Sequence, residues 1–181
     1  MKKHLPNIIT GLRLVAIPFF IYFILEDRLF IAALIYFTAA VSDLVDGYLA
    51  RKWKVVSTFG KLADPLADKA IQIAAILLFC IIGKLHFSFI IVLFIKESLM
   101  ILGSYLLYKK KIVVYALWYG KAATLFLNSA ITWILILDLQ SLPVNIIIGI
   151  SMFLELGALA LYTRRYFELK KQKAQEGEKP G

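Results

Sequence analysis

Two aspartate-containing segments stand out in this chain: SDLVDGYLAR (residues 42–51) and, after a basic linker, GKLADPLADK (residues 60–69). Each stretch carries two aspartates inside or beside a long apolar run. A single aspartate at the centre of a membrane helix costs about 2.5–3.5 kcal/mol. We therefore expect the four carboxylates to be compensated by a positive partner.

Helical spacing indicates what that partner is. At about 100° per residue, Asp43, Asp46 and Gly47 fall on one face of a helix. Asp64 and Asp68 are four residues apart, so they share a face of a second helix. If the two helices pack face to face, four carboxylates converge. Oxygen ligands of that number suit a hard divalent cation such as Mg²⁺ or Mn²⁺, and no local His or Cys cluster points to zinc.

The composition predicts an all-α, polytopic membrane protein. Hydrophobic residues make up 61% of the 181 residues and the mean hydropathy is +0.78, too apolar for a soluble domain of this length. We expect residues 1–165 to form one domain of six transmembrane helices and residues 166–181 to form a charged, disordered cytoplasmic tail. The six predicted spans cover about residues 8–25, 29–49, 61–82, 87–108, 117–137 and 144–162.

Charge placement predicts the orientation of the bundle. Of the 21 Lys and Arg residues, only Arg28 and Lys84 fall in turns on the side away from the N-terminus. The positive-inside rule then puts both termini and the aspartates on the cytoplasmic side of a cell membrane, which we expect to be bacterial. We attribute the net charge of +9 to membrane topology and to attraction toward anionic lipids. No motif indicates nucleic-acid binding. A cation channel or transporter with an acidic ion site is the non-enzymatic alternative.

The aspartate spacing also resembles a known family. The pattern D-x2-D-G-x2-A-R-x8-G-x3-D-x3-D, from Asp43 to Asp68, is similar to the full signature of the CDP-alcohol phosphotransferases, which are membrane enzymes of phospholipid synthesis. The resemblance implies that a phosphatidyl group moves from CDP-diacylglycerol to an alcohol with release of CMP. It further implies a homodimer in contact with membrane lipids.

Roles for individual residues follow from the resemblance. It implies that Asp43, Asp46, Asp64 and Asp68 hold two divalent ions, and that Asp68 is also the general base on the acceptor hydroxyl. The residues that it implies for binding of the CDP-linked donor are Asn7, Thr10, Gly47, Arg51, Ser57 and Gly60.

The acceptor alcohol is predicted less directly. The chain is most similar to the branch of the family that uses glycerol 3-phosphate, with the branch that uses phosphatidylglycerol, the cardiolipin synthases, as the alternative. The first branch commonly carries an arginine where this chain has Ser104 or Tyr105, which weakens its case. An intramembrane Lys96 either binds the acceptor or belongs to a structural ion pair. Glu155 has no role in either branch, and we expect it to pair with a lysine, to face the bundle interior or to lie at a subunit contact. The candidate cations for the acceptor are Arg13, Lys96, Lys110 and Lys121.

Overall fold

The computed structural model is a bundle of helices joined by short turns. It describes the backbone of residues 5–53, 58–109 and 118–176, and the side chains of residues 11–42, 69–103 and 118–165. Within these residues there are six helices and no strand, which confirms the predicted all-α class. The helices are α1 (Leu5–Leu25), α2 (Leu29–Trp53), α3 (Thr58–Ile81), α4 (Ser88–Lys109), α5 (Trp118–Ile136) and α6 (Ser141–Glu176).

Three tight turns close one end of the bundle. They join α1 to α2, α3 to α4 and α5 to α6, and each contains a residue with positive φ, namely Asp27, Gly83 or Asp138. A left-handed residue after a helix satisfies the last carbonyl groups and reverses the chain. Lys84 pairs with Asp138 across two of these turns, and the Asn145 amide donates to the Lys84 carbonyl at 3.1 Å. The helices therefore alternate in direction.

Among the described side chains, an apolar core lies next to these turns. Its largest fully buried side chains are Phe20, Tyr36, Ile76, Phe79, Leu93, Leu127, Ile131, Ile134, Leu135 and Ile148. The helix positions of the four aspartates lie beyond this core, in the opposite half.

The outside of the bundle is apolar as well. Large hydrophobic side chains are exposed on all six helices, among them Leu12, Phe30, Ile81, Ile101, Trp118 and Phe153. Extensive exposed apolar surface is rare on soluble monomers. By length and composition, one helix of the part with described side chains could cross a membrane, Ser141–Arg165, with a mean hydropathy of 2.1. The parts of α1, α2 and α3 with described side chains are shorter apolar stretches, Gly11–Leu25, Leu29–Ser42 and Lys69–Ile81.

The C-terminal end differs from the prediction. We expected a disordered tail from residue 166, but α6 continues as a helix to Glu176. The segment YFELKKQKAQE, residues 166–176, contains good helix formers and no Gly or Pro, so nothing in it ends the helix begun in the apolar part. Charge alone does not predict disorder when a preformed helix supplies the nucleus.

Candidate active site

The four aspartates of the motif occupy neighbouring levels of two helices. Asp43 and Asp46 lie in the second half of α2, and Asp64 and Asp68 lie in the first half of α3. Because α2 begins at one of the three turns and α3 ends at another, all four backbone positions belong to the half of the bundle away from those turns. Their side chains lie outside the described residues, so their convergence on a metal remains a prediction.

All six predicted donor-binding residues also fall outside the described side chains. For five of them the helical backbone alone is described: Asn7, Thr10, Gly47, Arg51 and Gly60. Ser57 and Lys110 lie outside the described residues altogether.

A described hydrogen-bond cluster shows how the two aspartate-bearing helices are held together. The Tyr36 hydroxyl of α2 donates to Oδ1 of Asn128 in α5, with an O···O distance of 2.8 Å. Nε2 of Gln72 in α3 donates to the same Oδ1 at 2.7 Å. Tyr36 and Gln72 are both fully buried. One amide oxygen on α5 thus joins α2 to α3.

Helical register connects this cluster to the motif. Gln72 follows Asp68 by four residues, so it lies on the same face of α3, about 6 Å along the axis. Tyr36 precedes Asp43 by seven residues, or nearly two turns, and therefore shares its face of α2. Since Tyr36 and Gln72 meet at Asn128, the two faces that carry the aspartates point toward the same interior region. This favours the predicted face-to-face packing.

The donor chemistry fits the predicted cation. Among the described side chains, no group of three or more His, Cys, Asp or Glu residues could hold a metal ion. The metal prediction therefore depends on the four aspartates of α2 and α3. Carboxylates are the ligands that Mg²⁺ and Mn²⁺ prefer.

A chain of buried and half-buried ion pairs lies beside the motif. Nζ of Lys96 lies 2.7 Å from Oε2 of Glu155 in α6 and 2.6 Å from Oε1 of Glu97. The same Glu97 oxygen lies 3.0 Å from Nζ of Lys69, which directly follows Asp68 in α3. Lys96 and Glu155 are 4% and 5% exposed. Two cations and two anions thus balance one another across α3, α4 and α6.

These contacts resolve one open question about Glu155 and leave another about Lys96. Glu155 pairs with a lysine, which was one of its expected roles. Lys96 forms an ion pair, which was one of the two roles expected for it. The other expected role, binding of the acceptor, stays a prediction. Arg13, also a candidate for the acceptor, is buried in α1 with 2% exposure, whereas Lys121 is exposed in the first turn of α5.

Sequence reasoning missed the Asn128 cluster. Gln72 extends the four-residue repeat of Gly60, Asp64 and Asp68 by one more step, and that polar continuation into an apolar run was the available signal. Asn128 is likewise an amide within the apolar segment of α5. Nothing in the sequence showed that the two amides meet, because their contact spans 56 residues of chain.

The fold and the motif define a class of protein. The family description "CDP-alcohol phosphatidyltransferase" matches residues 3–161, and the chain belongs to this family, whose members are membrane-bound and divalent-metal dependent. The resemblance drawn from the aspartate spacing is confirmed.

Similar proteins carry one name. A Mycoplasma genitalium protein is 35% identical over 144 residues, which cover 68% of this chain and 61% of the relative. A Haemophilus influenzae protein is 47% identical over 81 residues, 43% of this chain and 44% of the relative. An Aquifex aeolicus protein is 27% identical over 173 residues, 92% of this chain and 97% of the relative. Each is named CDP-diacylglycerol–glycerol-3-phosphate 3-phosphatidyltransferase.

The extent of these matches differs. The chain spans about three fifths of the Mycoplasma genitalium relative and less than half of the Haemophilus influenzae one, but nearly the whole Aquifex aeolicus relative. The similarity to the last protein therefore extends over almost all six helices.

Proposed function

We propose that this chain transfers the phosphatidyl group of CDP-diacylglycerol to glycerol 3-phosphate. A hydroxyl oxygen of the acceptor attacks the phosphorus that bears the diacylglycerol, the bond to the bridging pyrophosphate oxygen breaks, and CMP leaves with that oxygen. The products are phosphatidylglycerol phosphate and CMP. The main support for this proposal is the complete aspartate motif in a chain that belongs to the family. The helix faces of α2 and α3 that carry the motif also carry Tyr36 and Gln72, which both bind Asn128.

The aspartates have distinct proposed roles. Asp43, Asp46, Asp64 and Asp68 would hold two divalent ions, Mg²⁺ or Mn²⁺, since their carboxylates are the only such donor set that the motif supplies. When bound, the ions would neutralise the pyrophosphate and the departing CMP. Asp68 accepts the proton of the attacking hydroxyl as general base.

The donor-binding residues of this proposal are those that the family resemblance implies. Gly47 lets the nucleotide approach the α2 backbone closely, and Arg51 binds its phosphates by charge-assisted hydrogen bonds. The further donor-binding residues of this proposal are Asn7, Thr10, Ser57 and Gly60.

We place the enzyme across a membrane as six spans, with both termini and the aspartates on the cytoplasmic side. The apolar exterior of all six helices and the uneven distribution of Lys and Arg support this arrangement. A homodimer is part of the proposal through the family resemblance.

Glycerol 3-phosphate is favoured as acceptor by the names of the relatives. Lys96 is already balanced by two carboxylates, so the acceptor phosphate needs a further cation, for which Arg13, Lys110 and Lys121 are the candidates. The assay is CMP release by the purified chain with CDP-diacylglycerol and Mg²⁺, with either glycerol 3-phosphate or phosphatidylglycerol present. We expect CMP release when glycerol 3-phosphate is the acceptor and none when phosphatidylglycerol is the acceptor. Release with phosphatidylglycerol alone would make the chain a cardiolipin synthase.

Arg51→Ala is expected to raise the KM for CDP-diacylglycerol by about 10- to 100-fold, because a hydrogen bond to a charged group contributes about 1.5–3 kcal/mol. The matched control is Arg28→Ala, which removes an exposed arginine from the α1–α2 turn at the other end of the bundle. Initial rates over a range of CDP-diacylglycerol in mixed micelles measure both variants. Equal KM values for the two variants would contradict donor binding by Arg51. A cation channel, the non-enzymatic alternative, would not bind CDP and would be unaffected by Arg51→Ala.

A further inference from the structure

Asn128 occupies an unusual place in the bundle because one side-chain oxygen serves two other helices. Its Oδ1 accepts from the Tyr36 hydroxyl of α2 at 2.8 Å and from Nε2 of Gln72 of α3 at 2.7 Å. Both donors are 0% exposed. Asn128 itself is half-buried, and Gln72 also accepts from Nζ of Lys69 at 3.4 Å through its Oε1. Buried polar groups are costly unless their hydrogen bonds are made, so this arrangement of the three side chains is favoured over one that leaves Tyr36 or Gln72 without its acceptor.

An apolar cluster of the same volume would also pack α2 against α3, but it would lack the directional bonds that further constrain their rotation. Hydrogen bonds are directional, whereas apolar contacts are not. A shared acceptor therefore sets how Tyr36 and Gln72, and the faces they belong to, turn toward each other. Those faces continue to Asp43 and Asp68.

A metal site that takes ligands from both helices requires their rotation to be set accurately. A carboxylate lies about 6 Å from its helix axis, so a helix rotation of about 10° moves it by about 1 Å. Distances between a metal and its ligands are held to about ±0.2 Å. A small rotation of α2 or α3 is enough to spoil a site that uses ligands from both helices.

We infer that Asn128 is a positioning residue of this enzyme: through Tyr36 and Gln72 it fixes the rotation of α2 and α3, and thereby the affinity of the four aspartates for divalent ions. This inference rests on the proposed function. Asn128 touches neither substrate nor metal in this role, and acts through the two helices that carry the motif.

The test uses the full chain in lipid–detergent micelles and two readouts. The first is the rise in thermal unfolding temperature as Mn²⁺ alone is added to protein stripped with EDTA, since a ligand of the folded state stabilises it. The second is the Mg²⁺ concentration that gives half-maximal CMP release. For Asn128→Leu we expect both metal concentrations to increase about 10-fold or more, with the KM for glycerol 3-phosphate unchanged.

Two further variants guard against a trivial result. Tyr36→Phe removes one hydroxyl without changing the ring, so it should fold even if Asn128→Leu does not, and it should shift the metal dependence in the same direction by a smaller factor. Ser129→Ala is the matched control, because this exposed neighbour donates to the Leu125 carbonyl of its own helix. Its metal dependence should equal that of the unmodified chain.

The outcomes separate the two proposals. If Tyr36→Phe and a folded Asn128→Leu keep the metal dependence of the unmodified chain, the positioning role is wrong and the proposed reaction stands. If the unmodified chain neither releases CMP nor gains thermal stability with Mn²⁺ or Mg²⁺, the proposed function fails and the positioning role fails with it.

Discussion

Asp68→Asn is expected to abolish measurable release of CMP while the protein still inserts and folds. The amide cannot accept the proton of the attacking hydroxyl, and loss of a general base alone costs about 10²- to 10⁴-fold in rate. The same change removes one of the four proposed carboxylate ligands, which adds to the loss. CMP release with CDP-diacylglycerol, glycerol 3-phosphate and saturating Mg²⁺ is the measurement, with thermal unfolding in EDTA as the test of folding.

Asp138→Asn is the matched control for this experiment. It makes the same chemical change in the α5–α6 turn, where the carboxylate is 63% exposed and pairs with Lys84. Asparagine tolerates the positive φ of that position, and an exposed ion pair contributes at most about 1 kcal/mol. We expect turnover close to that of the unmodified chain. Undiminished turnover by Asp68→Asn would show that another group takes the proton.

The number and order of the helices could be predicted from the sequence because each apolar run is long and is bounded by charged or turn residues. The turns at Asp27, Gly83 and Asp138 fall where the apolar runs stop. The end of α6 could not be predicted in this way, since a helix that begins in an apolar segment continues through charged residues until Gly or Pro stops it. Hydropathy locates the membrane part of a helix and not its end.

The family motif could be read from spacing, because all its residues lie within 26 positions on two successive helices. The contacts that support it join residues far apart in the chain. Lys96 meets Glu155 over a separation of 59 residues, and Tyr36 meets Asn128 over 92. Local periodicity carries no information on such partners, so Lys96 could be assigned to an ion pair only once α4 and α6 were seen together.

Lys96→Met is expected to lower the free energy of unfolding by about 3–5 kcal/mol, because it leaves the buried Glu155 without its cation. Glu97 keeps Lys69, so Glu155 carries most of the cost. Adding Glu155→Leu removes that charge and should recover much of the lost stability. Unfolding in mixed micelles with increasing SDS measures all three chains.

Lys84→Met provides the comparison, since it removes a lysine whose partner is largely exposed and should cost at most about 1 kcal/mol. Lys96→Met, with Lys84→Met as its control, also decides whether Lys96 is a structural residue or a cation of the acceptor site. A structural lysine, when replaced, lowers the stability and leaves the KM for glycerol 3-phosphate unchanged in the protein that remains folded. A chain with Lys96→Met that unfolds like the unmodified protein, but needs far more glycerol 3-phosphate, would instead identify Lys96 as a cation of the acceptor site. Recovery by Glu155→Leu separates the cases further, because removing a carboxylate restores stability but does not restore a missing phosphate ligand.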